Sequence, residues 1–468
     1  MAILTNLPNE LLLLIIADVS PMFLDVFLLS CKRIYRLGAD AAREHRLVKN
    51  SLTCLSPCDL LKRVLSDAST ALYPTSIELE SRCRAFYWHA TVPPFDAQLF
   101  KELFKNSYEP YDPYRRQDVA VPLLFTLLIN LRKMRITVGY SPWLIEIVAK
   151  LVEANHEPSF PIQEPLALGR LTEVVIRPCS SRNLFLLEEK DPAKGVMKLS
   201  SLFAMMPRMR KLKVFVRDHY PYISTSPHHF GGVTELSVSG FVDSTFLEDL
   251  IGRTWSLEKF TYHHKFRGTT PPQATFAPRR VAQFVEQMSG DTLLYLDLIV
   301  RSYGHNGSKP KRLRQYHKDL FIGSLQGLTV LKTLRASIDL FTTRHRKGRR
   351  NKRTVQSLMS ILPPSLETLV LDEGLEVWKA DTMDILFEGI AEWKELEMAN
   401  LKLVNVARCP DLEEMLSSPT QVECQMAGVK LGYSTDCGAT EECNGIFEDC
   451  GDWETRPWIK ESVCCEMI

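Results

Sequence analysis

The sequence predicts an α/β chain: a short N-terminal unit of three helices, then a large, irregular solenoid of alternating strands and helices. Three observations point to it. A strand pattern of the form Leu-x-x-Leu-x-Val recurs from about residue 122, starting at Leu131, Leu171, Met209, Val233, Leu257, Leu293, Leu331, Leu366 and Leu396. The starts are 40, 38, 24, 24, 36, 38, 35 and 30 residues apart, and helical stretches fit into most of the intervals. Ahead of this array stands Leu11–Ile16, an unbroken apolar run. Strand and helix alternating at one grain mark a solenoid, whose units bury their faces on their neighbours. The competing expectation is an α/β domain with a parallel sheet of ordinary topology.

The first helix is expected to open at Pro8, whose missing N–H would be unpaired there anyway. Glu10 then lies in the first turn, where a carboxylate favours the positive end of the helix dipole. Leu11 to Ile16 cover every face of a helix, whereas a surface helix needs only one apolar stripe. One face must pack on its own domain, and the other is left for another molecule to cover. A second helix follows, with Ser20 as cap, Pro21 as opening residue and Leu24, Phe27 and Leu28 on one face. In Ser30-Cys31-Lys32-Arg33-Ile34-Tyr35-Arg36-Leu37, Ile34 and Leu37 turn inward and the cations outward. Three such short helices make a unit too small to be comfortable alone.

Leu7-Pro8-x-Glu10-Leu11, then Ser20-Pro21-x-x-Leu24, then Ser30-Cys31-Lys32-Arg33-x-Tyr35 resemble the F-box, in the style common in filamentous fungi. The resemblance covers roughly residues 3–45 and departs at Met22-Phe23, where the family often has a polar pair. It implies an adaptor role without bond chemistry. The F-box would bind the Skp adaptor of a Skp–cullin–F-box ubiquitin ligase and, through it, a cullin; the rest of the chain would hold a protein client. Carried over by position, Leu7, Pro8, Leu11, Ile15, Leu24, Phe27 and Cys31 would face the adaptor or brace that face. An F-box scaffold or regulatory protein acting outside a ligase is the alternative.

With the F-box unit at 1–48, residues 49–121 read as a helical and irregular linker, with helices at Asp59–Leu65 and Phe95–Phe104. Within 122–433, helices are expected at Trp143–Glu153, Leu199–Met206, Phe246–Trp255, Val281–Met288, Leu320–Leu328, Val355–Leu362 and Thr382–Trp393. The strands resemble the leucine-rich-repeat core, Leu-x-x-Leu-x-Leu. The asparagine usual after that strand is missing from nearly all of them, and several units exceed the ordinary repeat length. The final stretch, 434–468, is acidic and poor in large aliphatic residues, so disorder is expected apart from Trp453–Ile459.

The composition is globular, at 45% hydrophobic and 24% charged residues over a length of 468. No apolar run approaches the ~18 residues of a membrane span. Leu11–Ala17 lacks a preceding Lys or Arg and is bracketed by Pro8, Glu10 and Asp18, which argues against a signal-peptide core. The 12 cysteines, with no leader, argue for reduced thiols inside the cell, in nucleus or cytoplasm.

The net charge of +1 hides a strong asymmetry. Segments 264–280, 301–318 and 338–353 follow three successive strands and carry 17 Lys and Arg against one acid. Residues 372–468 hold 22 acids and 7 bases. The sharpest basic cluster holds Arg344, Arg346, Lys347, Arg349, Arg350, Lys352 and Arg353, with Lys309, Lys311 and Arg312 in the segment before it. So dense a cluster reads as a loop that is extended and mobile in isolation. Four readings stay open: a solvated loop, a nuclear import signal, a patch for an acidic or phosphorylated client, or a partner for the chain's own acidic C-terminal part. Nucleic acid is disfavoured, because these loops offer few aromatics for stacking.

Other chemistry is set aside. Cys437, Cys443, Cys450, Cys464 and Cys465 lack the tight Cys-x2-Cys pair of zinc sites, so no metal is assigned. The terminal Cys465-Glu466-Met467-Ile468 makes a poor prenylation box. His228-His229 and His263-His264 read as surface histidines. No phosphate-cradling loop, nucleophile elbow or paired catalytic carboxylates are found, so neither a catalytic residue nor a cofactor is assigned.

Overall fold

In a computed structural model, residues 6–80 and 116–434 are described, except 20, 54, 56, 139–141, 157–166, 179–191, 217–230, 255, 268–275, 304–319, 348–349, 356, 373–379, 397–399 and 408–417. The expected helix Phe95–Phe104, the pair His228-His229 and the tail cysteines lie outside the described residues.

The chain is mixed α/β, built on one 11-stranded parallel sheet. Its strands are β1 (Ser76–Glu80), β2 (Lys133–Val138), β3 (Glu173–Pro178), β4 (Lys211–Val216), β5 (Glu235–Gly240), β6 (Lys259–Arg267), β7 (Tyr295–Tyr303), β8 (Thr333–Ser337), β11 (Thr368–Asp372), β12 (Leu403–Ala407) and β13 (Lys430–Ser434). Each of these strands pairs with the next in the order given; among the described residues, the hairpin β9 (Thr342–Lys347) and β10 (Arg350–Val355) stands apart, as a two-stranded antiparallel ribbon.

The repeated sequence pattern explains the register. The leading apolar residue of each unit lies just before its strand and is fully buried, as Leu131, Leu171, Met209, Val233, Leu257, Leu293, Leu331 and Leu366 all are. The second apolar position lines up from strand to strand: Met134 beside Val174, Leu212, Leu236, Phe260, Leu296 and onward to Val404. A one-residue slip would turn that row to the other face, so burial fixes the register. Backbone N–H groups of Thr172, Arg210, Thr234, Glu258 and Leu294 each donate to the carbonyl one unit back, which extends the ladder ahead of the strands.

Four N-terminal helices come first: α1 (Asn9–Asp18), α2 (Pro21–Leu28), α3 (Lys32–Leu37) and α4 (Ala39–Thr53). Then α5 (Pro57–Ser66), α6 (Arg116–Leu127), α7 (Pro142–His156), α8 (Pro192–Ala204), α9 (Ser244–Gly252) and α10 (Pro278–Ser289) interleave with the strands. Near the C-terminal end lie α11 (Ala380–Phe387), α12 (Ile390–Leu396) and α13 (Ser418–Met426). No helix among the described residues is long and apolar enough to cross a membrane.

Several sequence expectations need correction. The sheet begins at Ser76, inside the expected linker, and ends with β13, which has no full apolar pattern of its own. The ninth unit starts at Leu401 and not Leu396, because Leu396 closes α12 and the Lys402 N–H donates to the Glu367 carbonyl. Leu320–Leu328 is not helical. Its Ile322 and Leu325 N–H groups donate to Leu340 and Ile361, and Gly323 sits at φ 83°. Within the expected helix Val355–Leu362, Val355 instead ends β10 and Leu358–Ser360 forms a 3-10 turn. Thr382–Trp393 is two helices, split at Gly389 with φ 78°. Within the basic cluster, residues 342–347 and 350–355 pair as a registered hairpin where a loop was expected.

Candidate functional site

The N-terminal helices close a private core. Leu12 and Ile16 of α1, Leu24 and Leu28 of α2, Ile34 of α3 and Ala42 of α4 pack together, separate from the core of the sheet. Pro8 is the N-cap of α1, with φ −53° and ψ 151°, and not its first helical residue. Its carbonyl already accepts from the Leu12 N–H at 3.1 Å. Arg33 ties α3 to the start of α1: its Nη2 donates to the Leu7 carbonyl at 2.8 Å and to Asn9 Oδ1 at 2.6 Å. The Cys31 Sγ caps α3 by accepting from the Ile34 N–H at 3.4 Å.

Inward packing of one stripe leaves the other faces bare. Leu14 is 65% exposed, Val26 70% and Leu29 75%, with Leu11, Leu13 and Phe23 close to half exposed. Of the residues singled out from sequence, Pro8 and Leu11 are exposed, and Leu7, Ile15, Phe27 and Cys31 are half-buried. Leu24 lies inside the small core, so it braces the surface and does not form it. Sequence reasoning missed Leu14, Val26 and Leu29. Helical phase was the available signal, since Leu14 stands roughly 200° around the helix from Leu12.

A second feature crowns β6–β8. Because the strands are parallel and adjacent, the basic segments that follow β6, β7 and β8 leave the sheet at one edge. At that edge Lys265 is registered beside Arg301. In the hairpin Arg344 stands opposite Arg353, His345 opposite Lys352, and Lys347 opposite Arg350. Lys309, Lys311, Arg312 and Arg349 lie outside the described residues.

Below this edge lies a buried polar cluster, on the sheet face opposite the apolar row. His263 and His264 were expected at the surface and are buried, at 8% and 0% exposed. His264 shares the face of the apolar row and stacks on Phe276, ring centroids 4.7 Å apart, whereas His263 stands on the other face, in register between Ser239 and Ile299. His263 Nε2 lies 3.2 Å from Asp297 Oδ2. Arg335 Nη2 donates to Asp372 Oδ2 at 2.6 Å. Burial, with help from Asp297, pushes the Tyr295 phenol up to about 12. Burial works against the Arg335 charge, but Asp297 and Asp372 outweigh it and hold the guanidinium pKa above its ordinary value. Sequence spacing could not find these couples, since their members come from four different strands. Among the described residues, no group of His, Cys, Asp and Glu is arranged to hold a metal ion.

No protein-family model matches the chain, and no curated protein matches it.

Proposed function

We propose that this chain is an F-box protein: the substrate-recognition subunit of a Skp–cullin–F-box ubiquitin ligase. In this reading the α1–α2 surface docks on the Skp adaptor, and the adaptor bridges to a cullin. The large sheet, read as a leucine-rich-repeat-like solenoid, holds a protein client. The subunit performs no bond chemistry. It raises the local concentration of client lysines near a charged ubiquitin carrier.

One observation carries the reading: bare apolar side chains stand on α1 and α2 over a core that these small helices already satisfy. A monomeric surface gains nothing from Leu14, Val26 and Leu29 in water, whereas a partner that covers them gains their transfer energy, about 1.5–3 kcal/mol for each fully buried side chain. The solenoid reading is supported by strands that follow in chain order and by the leading apolar residue buried at the same point of successive units.

Co-expression with the Skp adaptor tests it. Capture of the chain by tagged adaptor is expected for wild type and lost for the double variant Leu14→Asp/Val26→Asp. Both side chains are exposed, so the thermal unfolding profile is expected to stay unchanged. Undiminished capture by that variant would sink the proposal.

A further inference from the structure

The two cores of the chain meet at a buried histidine. α4 touches both: Ala42 lies in the small core, and Val48, further along the helix, packs against the core of the sheet. Between them stands His45, 5% exposed. Its Nε2 lies 3.6 Å from Asp25 Oδ2 on α2. Its ring packs against Tyr73, with centroids 5.3 Å apart and planes tilted by 31°. Tyr73 follows the 3-10 turn Ala68–Leu72 and packs against the core of the sheet.

Asp25 faces the ring from α2, and Tyr73 faces it from the turn. On α4 itself Glu44 and Arg46 flank His45 in the chain, and Lys49 stands one turn on. Burial, then Glu44 and Asp67, push the Tyr73 phenol above its ordinary value, so carboxylates act at this joint. Burial disfavours an imidazolium, and a neighbouring carboxylate favours it. The Asp25 side chain is close to half exposed, so water screens its pull on His45. Asp25 also borders the bare apolar surface. Leu29 stands one turn after it, with its N–H donating to the Asp25 carbonyl at 3.1 Å, and Val26 is next in the chain. Both apolar side chains are exposed.

We propose that His45 makes docking at the α1–α2 surface proton-linked: a partner that covers Val26 and Leu29 shields Asp25 from water, and the shielded carboxylate holds an imidazolium at position 45. The partner is the Skp adaptor, an assignment that rests on the ligase reading. Removing water from one side of Asp25 lowers the local dielectric and strengthens its attraction for a cation 3.6 Å away. The docked chain therefore keeps the His45 proton more firmly than the free chain. By linkage, the charged form docks more tightly by the same factor. Histidine ordinarily changes charge between about pH 5 and 8, so docking is strongest at the acid end of that window and weakens as pH rises through it.

The test uses the full chain and the Skp adaptor at constant ionic strength, with the dissociation constant measured by titration calorimetry from about pH 8 to about pH 6. Wild type is expected to bind about fivefold more tightly at the lower pH. His45→Gln and Asp25→Asn are each expected to lose most of that gain. Titrating groups on the adaptor act equally on all three proteins and cancel in the comparison. Should His45→Gln fail to fold, Asp25→Asn, at a half-exposed position, carries the comparison by itself. A second readout labels the histidines with carbon-13 and follows the His45 resonance, which is expected to titrate at a higher pH in the complex than in the free chain. A pH dependence in Asp25→Asn equal to that of wild type, or an unmoved His45 midpoint, overturns the proposal and leaves the ligase reading standing. Wild type that binds the adaptor at no pH overturns both.

Discussion

Arg335 and Asp372 illustrate what a single buried contact decides. Both are nearly inaccessible, at 7% and 0% exposed, and the guanidinium donates to the carboxylate at 2.6 Å. Such a pair adds little net stability, because desolvation cancels much of the attraction, yet removing Asp372 takes its hydrogen-bonded counter-ion from the buried guanidinium, which keeps the charge of Asp297. Asp372→Ala is therefore expected to cost about 3–5 kcal/mol in chemical denaturation. The double variant Arg335→Met/Asp372→Leu is expected to regain most of that loss. If the double variant is no more stable than the single one, the stranded-charge account fails. Neither residue was singled out in the sequence: each lies within an expected strand, the one starting at Leu331 and the one starting at Leu366. His263 and His264 were misjudged for the same reason, since a residue's burial in a central strand depends on its neighbours and not on its own segment.

At the scale of elements, the strands were legible and the helices less so. Leu-x-x-Leu-x-Val forces one apolar row toward the helices, and eight of the nine expected strand starts lie two residues ahead of the observed strands. On the other face the first strand positions alternate in sign, Lys133, Glu173, Lys211, Glu235 and Lys259, side by side. Lys133 lies 3.2 Å from Glu173 and Lys211 2.8 Å from Glu235. Exposed pairs of this kind contribute at most about 1 kcal/mol each, so their value lies in disfavouring register errors that would put like charges together. The turn after β5 is stricter. Gly240 adopts φ 133°, and a Cβ there would run into the Val216 carbonyl of the neighbouring strand. Gly240→Ala combines backbone strain with overpacking and is expected to cost roughly 3 kcal/mol, read as a lower urea midpoint with an unchanged slope. An unshifted midpoint would show that the β4–β5 edge relaxes freely. Helices at Leu320–Leu328 and Val355–Leu362 were expected from apolar spacing alone. Glycine at 323 and cross-segment hydrogen bonds overrode that spacing.

At the scale of the whole molecule, two cores of very different size share one chain. The sheet and its helices bury one continuous cluster, whereas among the described residues α1–α4 enclose six buried apolar side chains. A unit that small has little stability in reserve. Leu12 is 0% exposed, and Leu12→Ala is expected to cost about 2–5 kcal/mol. That loss should melt α1–α3 locally, with hydrogen exchange rising there and protection of β4–β7 unchanged. Uniform loss of protection across both regions would mean that the two cores unfold as one. The sequence by itself determined the alternation of strand and helix, the face each strand buries and the apolar excess of the first helices, because these follow from side-chain periodicity along one segment. Only the tertiary structure decided where the sheet begins and ends, which polar groups sink into it, and that basic segments separated in the chain leave the same edge. Those outcomes depend on which strands become neighbours, and pairing between strands is set by burial summed over the whole array and not by any one stretch of it.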